Sequence, residues 1–193
     1  MAQTKLDLAK TALVTIDLQE NILHPQPLVP YAVDDVVATN NQLANHLKNT
    51  AVLITLVGVN VSDVHRLSAI DEHQDERTID RTQEDITQVL DVAHDTDAQN
   101  VIQVTKHNPG AFFGTDLDLQ LRRHGIDTII LTGVSTSNGV YATALDAYQS
   151  AYRLIVVADA CSDRNVENHE FILNRLMPRI GEVTTLAELL PRL

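Results

Sequence analysis

The chain contains 193 residues, of which 44% are hydrophobic, a size and composition that fit one globular domain spanning residues 1–193. Its formal net charge of -12 at pH 7 argues against nucleic acid and against an anionic membrane surface as partners, because both bind clustered lysine and arginine. We therefore expect a small molecule as the partner.

Short apolar runs alternate with amphipathic segments along the chain. The predicted strands are residues 11–17, 51–57, 101–105, 128–131 and 154–158. The predicted helices are residues 30–48, 115–123, 139–151, 165–177 and 186–190. This alternation predicts a single-domain α/β fold, with a mainly parallel sheet and helices on both of its faces.

The segment from residue 60 to residue 100 is less regular than the rest of the chain and is rich in polar side chains. It is long for a plain connection between two strands. We therefore expect a partly helical insertion, with a helix over residues 83–90.

Three features lie where predicted strands end. Asp17 closes the first strand, Lys106 follows the third, and a glycine-bounded turn, residues 133–139, follows the fourth. Ligands of open α/β sheets bind beyond the carboxyl ends of the strands, so a common edge favours a functional site. Each feature also has an ordinary explanation. An acid that ends a strand is commonly a turn residue, a lone lysine is commonly solvated, and a glycine-bounded turn commonly only changes the direction of the chain.

Three segments resemble known motifs. ALVTIDLQ, KHNPGAFFGTDLDLQLRRHGID and DTIILTGVSTSNGVYATALDAY resemble the first-strand motif, the lysine loop and the nucleophile elbow of the isochorismatase-like cysteine hydrolases. The resemblance implies a three-layer Rossmann-like fold. It also places the catalytic acid of that superfamily on Asp17, its lysine on Lys106 and its nucleophile position on Gly139.

The same resemblance implies further features of the elbow. A non-proline cis peptide is expected between Val134 and Ser135, and the backbone N–H groups of Ser135 and Gly139 are expected to stabilise an anion. The aromatic pair Phe112 and Phe113 either packs a loop onto the core or contributes Phe113 to the wall of the pocket.

Glycine at position 139 excludes the thiol chemistry of most members of the superfamily, in which an acid activates a cysteine. Thr136 and Ser137 carry hydroxyls nearby, but a hydroxyl has a far higher pKa than a thiol and needs a well-placed base. Cys161, the one cysteine of the chain, follows the next predicted strand, and we interpret it as a small buried hydrophobe.

The true isochorismatases resemble this chain in having glycine at the nucleophile position. The resemblance implies hydrolysis of an enol ether, in which an aspartic acid protonates the vinyl carbon and water adds to the resulting cation. Their elbow reads GVYAHxG, whereas the aligned residues here read GVSTSNG. Loss of the tyrosine and the histidine argues against isochorismate itself as the substrate.

Two functions remain open at this stage. The first is a hydrolase without a covalent cysteine intermediate, acting on a small molecule with Asp17 and Lys106 as its polar pair; anions are among the candidate substrates. The second is a binding or scaffold protein that has kept the fold and lost the chemistry. The presence of both Asp17 and Lys106 favours the enzyme.

We expect no cofactor and no metal. Asp63, His65 and His73 match the residue types of the metal site in nicotinamidase-like relatives, but Asp63 lies several residues beyond the end of its strand.

The resemblance implies a homodimer or a larger homo-oligomer, formed through the helices at residues 139–151 and 165–177. A signal-like N-terminus and a long apolar run are both missing from the sequence, so we expect a cytoplasmic protein.

Overall fold

A computed structural model describes residues 4–60 and 87–193. Six strands form one sheet in which every neighbouring pair is parallel. The strands are β1 (Thr11–Ile16), β2 (Leu53–Val59), β3 (Val101–Lys106), β4 (Thr128–Val134), β5 (Arg153–Ser162) and β6 (Glu182–Thr184). Their order across the sheet is β3-β2-β1-β4-β5-β6. This arrangement confirms the predicted α/β fold.

The α-helices of the described residues lie against both faces of the sheet. They are α1 (Glu20–Leu23), α2 (Val33–Leu47), α3 (Leu117–Arg123), α4 (Tyr141–Gln149), α5 (Val166–Phe171) and α6 (Leu186–Leu189). Apolar side chains of α3 and α4 pack on one face, and those of α2 and α6 pack on the other. Strands β1, β2 and β4 are buried along their full length because helices cover both faces.

One predicted helix was wrong, and one short strand was not predicted. The predicted helix over residues 83–90 does not extend over its described part, because Gln88 forms an antiparallel bridge with Gln19 and the Val89 amide donates to Leu18. β6 was not predicted, since it has only three residues and Glu182 is exposed. Its pairing with β5 places it at the edge of the sheet.

Both helices predicted after β4 and β5 contain a wider helical turn. The chain forms a π-helical turn over Thr136–Val140 before α4 begins, and α5 continues as a second such turn over Ile172–Leu176. Cys161 lies inside β5 and not after it, because β5 continues through Ser162. Asp63, His65 and His73 lie outside the described residues. None of the described helices combines the length and the apolarity that crossing a membrane requires.

Candidate active site

Asp17 is the residue at which the chain leaves β1. Its backbone adopts the left-handed region, with φ of 53°, and its amide donates to the carbonyl oxygen of Val57 at 2.9 Å. That conformation is uncommon for a residue with a Cβ and is a recurring feature of functional sites. The side chain is 10% exposed.

Lys106 is the last residue of β3, and its side chain meets that of Asp17. The Lys106 Nζ lies 2.8 Å from the Asp17 Oδ2 and donates a second hydrogen bond to the carbonyl oxygen of Pro109 at 2.9 Å. β2 lies between β1 and β3, so the two backbones are about 10 Å apart. The long, unbranched lysine side chain can span this distance between the strands. Lys106 is buried, with 2% of the residue exposed.

The Asp17 carboxyl titrates far above its usual range. Burial raises the pKa of Asp17 to about 6, although the charge and the hydrogen bond of Lys106 lower it. Oδ2 contacts the lysine, whereas the buried Oδ1 has no hydrogen-bond partner within the described part of the chain. Both protonation states of this carboxyl are therefore accessible near neutral pH, as acid–base chemistry requires.

The segment Ser135–Val140, called the elbow below, carries Gly139 to this pair. The peptide bond between Val134 and Ser135 is cis, and the Ser135 carbonyl oxygen accepts hydrogen bonds from the amides of Asn138 and Val140. A Cβ built on Gly139 lies 3.2 Å from the Asp17 Oδ2 and 3.3 Å from the Lys106 Nζ. The side-chain position of residue 139 therefore borders both charged groups.

Thr143, a fully buried residue of α4, connects the elbow to the loop that follows Lys106. Its hydroxyl donates to the Gly139 carbonyl oxygen at 2.7 Å and accepts from the Ala111 amide at 3.1 Å. The same loop contains Pro109, whose carbonyl oxygen accepts a hydrogen bond from the Lys106 Nζ. One side chain thus fixes the elbow and the lysine loop relative to each other.

Several polar residues that hold the elbow were not identified from the sequence. Asp163 accepts a hydrogen bond from the Ser137 amide at 2.6 Å, and the Thr136 hydroxyl contacts His169. The Thr136 hydroxyl is buried in these contacts, which argues against its use as a nucleophile. A signal for His169 was available, since it shares the buried face of its helix with Ile172 and Leu173.

Two other candidates lie in surroundings unlike those of the buried pair. Cys161 packs in the hydrophobic core, and burial raises the pKa of its thiol to about 12. Phe113 is 72% exposed, whereas Phe112 packs against Tyr152 with ring centroids 5.8 Å apart. The predicted contact between Phe113 and a substrate stays a prediction, as do the anion-stabilising roles of the Ser135 and Gly139 amides. Across residues 4–60 and 87–193, no group of three acidic, histidine or cysteine side chains is arranged to hold a metal ion.

A buried acid–lysine pair thus lies at the carboxyl edge of a parallel sheet in an α/β fold, beside the turn that follows β4, which is where such folds bind their ligands. The Isochorismatase domain family matches residues 11–188, and the chain belongs to that family. It is 38% identical over 187 residues to the uncharacterised isochorismatase family protein YecD of Escherichia coli O157:H7, covering 96% of this chain and 97% of that protein.

Two further similarities extend the comparison. The structure of an isochorismatase family protein from Burkholderia thailandensis superposes with a TM-score of 0.80 at 34% identity, covering 97% of this chain and 96% of that chain. Maleamate amidohydrolase of Pseudomonas putida is 38% identical over 84 residues, which are 44% of this chain and 39% of that protein.

Proposed function

We propose that this chain hydrolyses a small molecule without a covalent cysteine intermediate, with Asp17 as the group that transfers the proton and Lys106 as its charged partner. Enol-ether hydrolysis is the reaction we favour. The position of Gly139 supports the proposal, because an atom placed where its side chain would begin contacts Asp17 at 3.2 Å and Lys106 at 3.3 Å. A reacting group at that position would meet an acid and a cation together.

The proposal that the reaction uses no thiol rests on the position of the one cysteine. Cys161 is the one cysteine of the 193 residues, and it lies buried in β5 with the pKa of its thiol raised to about 12. A thiolate is the nucleophilic form of cysteine, and burial in apolar surroundings suppresses it. The nucleophile of the proposed reaction is therefore water.

The proposed reaction begins with the neutral form of Asp17. The carboxylic acid donates its proton to the vinyl carbon of an enol ether, which produces a cation stabilised by the ether oxygen. Water adds to that cation and returns a proton to Asp17, and the hemiketal collapses to a ketone and an alcohol. Burial supports the first step, because it raises the pKa of Asp17 to about 6 and keeps part of the carboxyl protonated near neutrality.

The proposed substrate is small, and small anions are the first candidates. Maleamate amidohydrolase, which is similar over 44% of this chain, is named for a substrate that combines an amide with a carboxylate. Ser135 and Ser137 stand where the isochorismatases have tyrosine and histidine in the elbow motif. Their smaller side chains argue for a substrate other than isochorismate.

The test is hydrolysis of a panel of enol ethers, small amides and carbamoyl compounds by the wild type and by Asp17→Asn. We expect the wild type to hydrolyse at least one enol ether and Asp17→Asn to lose at least about 100-fold in kcat, because an amide cannot deliver the proton. Ligand-induced melting shifts should persist in Asp17→Asn, since the amide keeps the size and hydrogen bonding of the acid.

Asp159→Asn is the matched control, because Asp159 caps the amide of Leu186 and lies outside the buried pair. It should keep wild-type kcat. A wild type that hydrolyses no compound of the panel, with ligand binding unchanged in Asp17→Asn, would contradict the proposal and favour a binding protein.

A further inference from the structure

The elbow is held by a closed ring of four residues that takes no part in the acid–lysine pair. The Thr136 Oγ1 lies 3.0 Å from the Ser162 carbonyl oxygen and 2.9 Å from the His169 Nδ1. The Ser162 hydroxyl donates to the Tyr31 carbonyl oxygen at 2.8 Å. The ring of Tyr31 meets the ring of His169 edge-on, at 6.1 Å between centroids and 76° between planes.

A count of protons fixes the direction of these hydrogen bonds. The Thr136 hydroxyl has one hydrogen, and the Ser162 carbonyl oxygen can only accept, so Thr136 donates to Ser162. The second contact of Thr136 is then satisfied if the His169 Nδ1 carries a hydrogen and donates to the Thr136 Oγ1. With the hydrogen on Nδ1, both contacts of the Thr136 hydroxyl are hydrogen bonds. With the hydrogen on Nε2, only one of the two is.

His169 is a neutral member of this ring. The residue is 5% exposed, and burial lowers the pKa of its imidazole, although the nearby charges of Asp163 and Glu170 raise it. At pH 7 the imidazole of His169 therefore carries one N–H hydrogen. The hydrogen bonds of Thr136 place that hydrogen on Nδ1.

The location of Thr136 connects this ring to the chemistry. Thr136 follows the cis bond between Val134 and Ser135 and precedes Gly139 by three residues within the same helical turn. The distances from the Gly139 Cβ position to Asp17 and Lys106 are shorter than ordinary van der Waals contact, so a shift of the elbow by about 1 Å changes both substantially.

We propose that His169 is a positioning residue, which holds the elbow through the Thr136 hydroxyl and thereby sets the distance between Gly139 and the Asp17–Lys106 pair. The effect on turnover rests on the proposed hydrolytic function. The effect on the environment of Asp17 does not, because it depends on the elbow alone.

Four variants separate positioning from general stability. Thr136→Val removes the hydroxyl and keeps the shape, and Thr136→Ser restores a hydroxyl. His169→Phe keeps an aromatic ring against Tyr31 but removes Nδ1, and His169→Asn returns a donor near the position of Nδ1. The measurements are the 15N shifts of the histidine rings, the 13C titration of the Asp17 carboxyl, and kcat and KM on the enol ethers.

We expect the wild-type His169 to carry its proton on Nδ1. In Thr136→Val and His169→Phe, a displaced elbow should admit water, so the pKa of Asp17 should fall from about 6 toward its ordinary value of 3.8. The kcat of both variants should fall at least about 10-fold with KM within about threefold, and the double variant should be no worse than the poorer single variant. Thr136→Ser and His169→Asn should recover most of the loss.

Unchanged Asp17 titration together with unchanged kcat in folded Thr136→Val and His169→Phe would overturn the inference, whatever their melting temperatures. A wild-type proton on Nε2 would overturn it as well. A wild type that hydrolyses nothing would instead contradict the proposed function, and the positioning role would then be decided by the Asp17 titration and the ring tautomer.

Discussion

Gly133 of β4 lies against the backbone of Ile16 in β1, so closely that an added Cβ would overlap the Ile16 carbonyl oxygen. The two residues are partners in the parallel register, and Gly133 has a φ of 114°, a conformation that side chains disfavour. Ile16 immediately precedes Asp17, and Gly133 immediately precedes Val134, whose cis bond to Ser135 starts the elbow. This contact therefore sets the separation of two parts of the candidate site.

We predict that Gly133→Ala costs at least about 3 kcal/mol of stability, because the methyl group meets backbone that cannot rotate away. The measurement is the midpoint of urea unfolding. Gly114→Ala is the matched control, since Gly114 also has a positive φ of 71° but no atom lies within 4 Å of its added Cβ. The control should lose about 1 kcal/mol, from backbone strain alone. Equal losses in the two variants would contradict the steric argument.

The protonation of Asp17 predicts how the proposed reaction depends on pH. The acid form donates the proton, so kcat on an enol ether should fall as pH rises through the Asp17 pKa of about 6. Lys106→Met removes the charge that lowers this pKa, and the midpoint should therefore move to higher pH. The same variant should lose at least about 10-fold in kcat/KM, because it removes charge complementarity to an anionic substrate.

Lys48→Met is the control for this pH experiment. Lys48 pairs with Asp95 at 2.5 Å at the protein surface, away from the buried pair. The control should leave the midpoint and kcat/KM as in the wild type. A kcat that rises with pH through 6 would show that Asp17 works as a base, and the protonation step would be wrong.

Gly139→Ala tests whether the space beside the buried pair is used. The added methyl group would lie 2.9 Å from the Ile16 Cγ2 and close to both charged groups, so its neighbours must shift. We expect a folded protein that loses about 1–3 kcal/mol of stability and at least about 10-fold in kcat. The measurements are urea unfolding and hydrolysis of the enol ethers, and wild-type kcat in this variant would show that no reacting group occupies the space.

Cys161 should be dispensable for activity. We predict that Cys161→Ala retains kcat within about threefold, and that iodoacetamide leaves the folded wild type active, because the thiol is buried in β5 and its pKa is raised. Gly139→Cys is the positive control for the reagent, since it places a thiol beside Lys106. Substrate-protected inactivation of the wild type by iodoacetamide would contradict the prediction.

Exposed apolar side chains on two helices predict self-association. Tyr148 of α4 is 52% exposed, and Val166 and Phe171 of α5 are also exposed. We expect light scattering at micromolar concentration to return a dimer or a larger assembly of the 21.3 kDa chain. Phe171→Glu should shift the mass to that of the monomer, and Leu119→Glu on α3 should not. A monomeric wild type would show that the prediction is wrong.

The sheet was largely predictable because continuous apolar runs mark strands that are buried on both faces. The ends of the strands were harder to place. β5 was predicted to end near residue 158 but continues through Ser162. Beyond an irregularity in the register, Cys161 of β5 still pairs with Gly133 of β4. Asp159 and Ser162 are polar, so the pattern indicates a loop, whereas main-chain pairing with β4 keeps this segment in the sheet.

The candidate site was predictable to a similar extent. Asp17, Lys106 and Gly139 follow from strand ends and motif resemblance, since parallel strands place their carboxyl ends at one edge. The hydrogen bonds of Thr143 to the Ala111 loop and of Thr136 to His169 were not predictable. They join residues far apart along the chain, and the periodicity of a sequence contains no information on such pairs.

The arrangement of the acid, the lysine and the glycine on different strands has a consequence for folding. Lys106 at the end of β3 must reach past β2 to the end of β1, and the elbow arrives from β4 on the other side. A partly folded chain in which only β1 and β2 have paired holds an acid without its cation. Contacts this distant in sequence need costly loop closure, which makes the pairing of parallel strands slow. Enzymatic activity during refolding should therefore return in step with the completed sheet and never ahead of it.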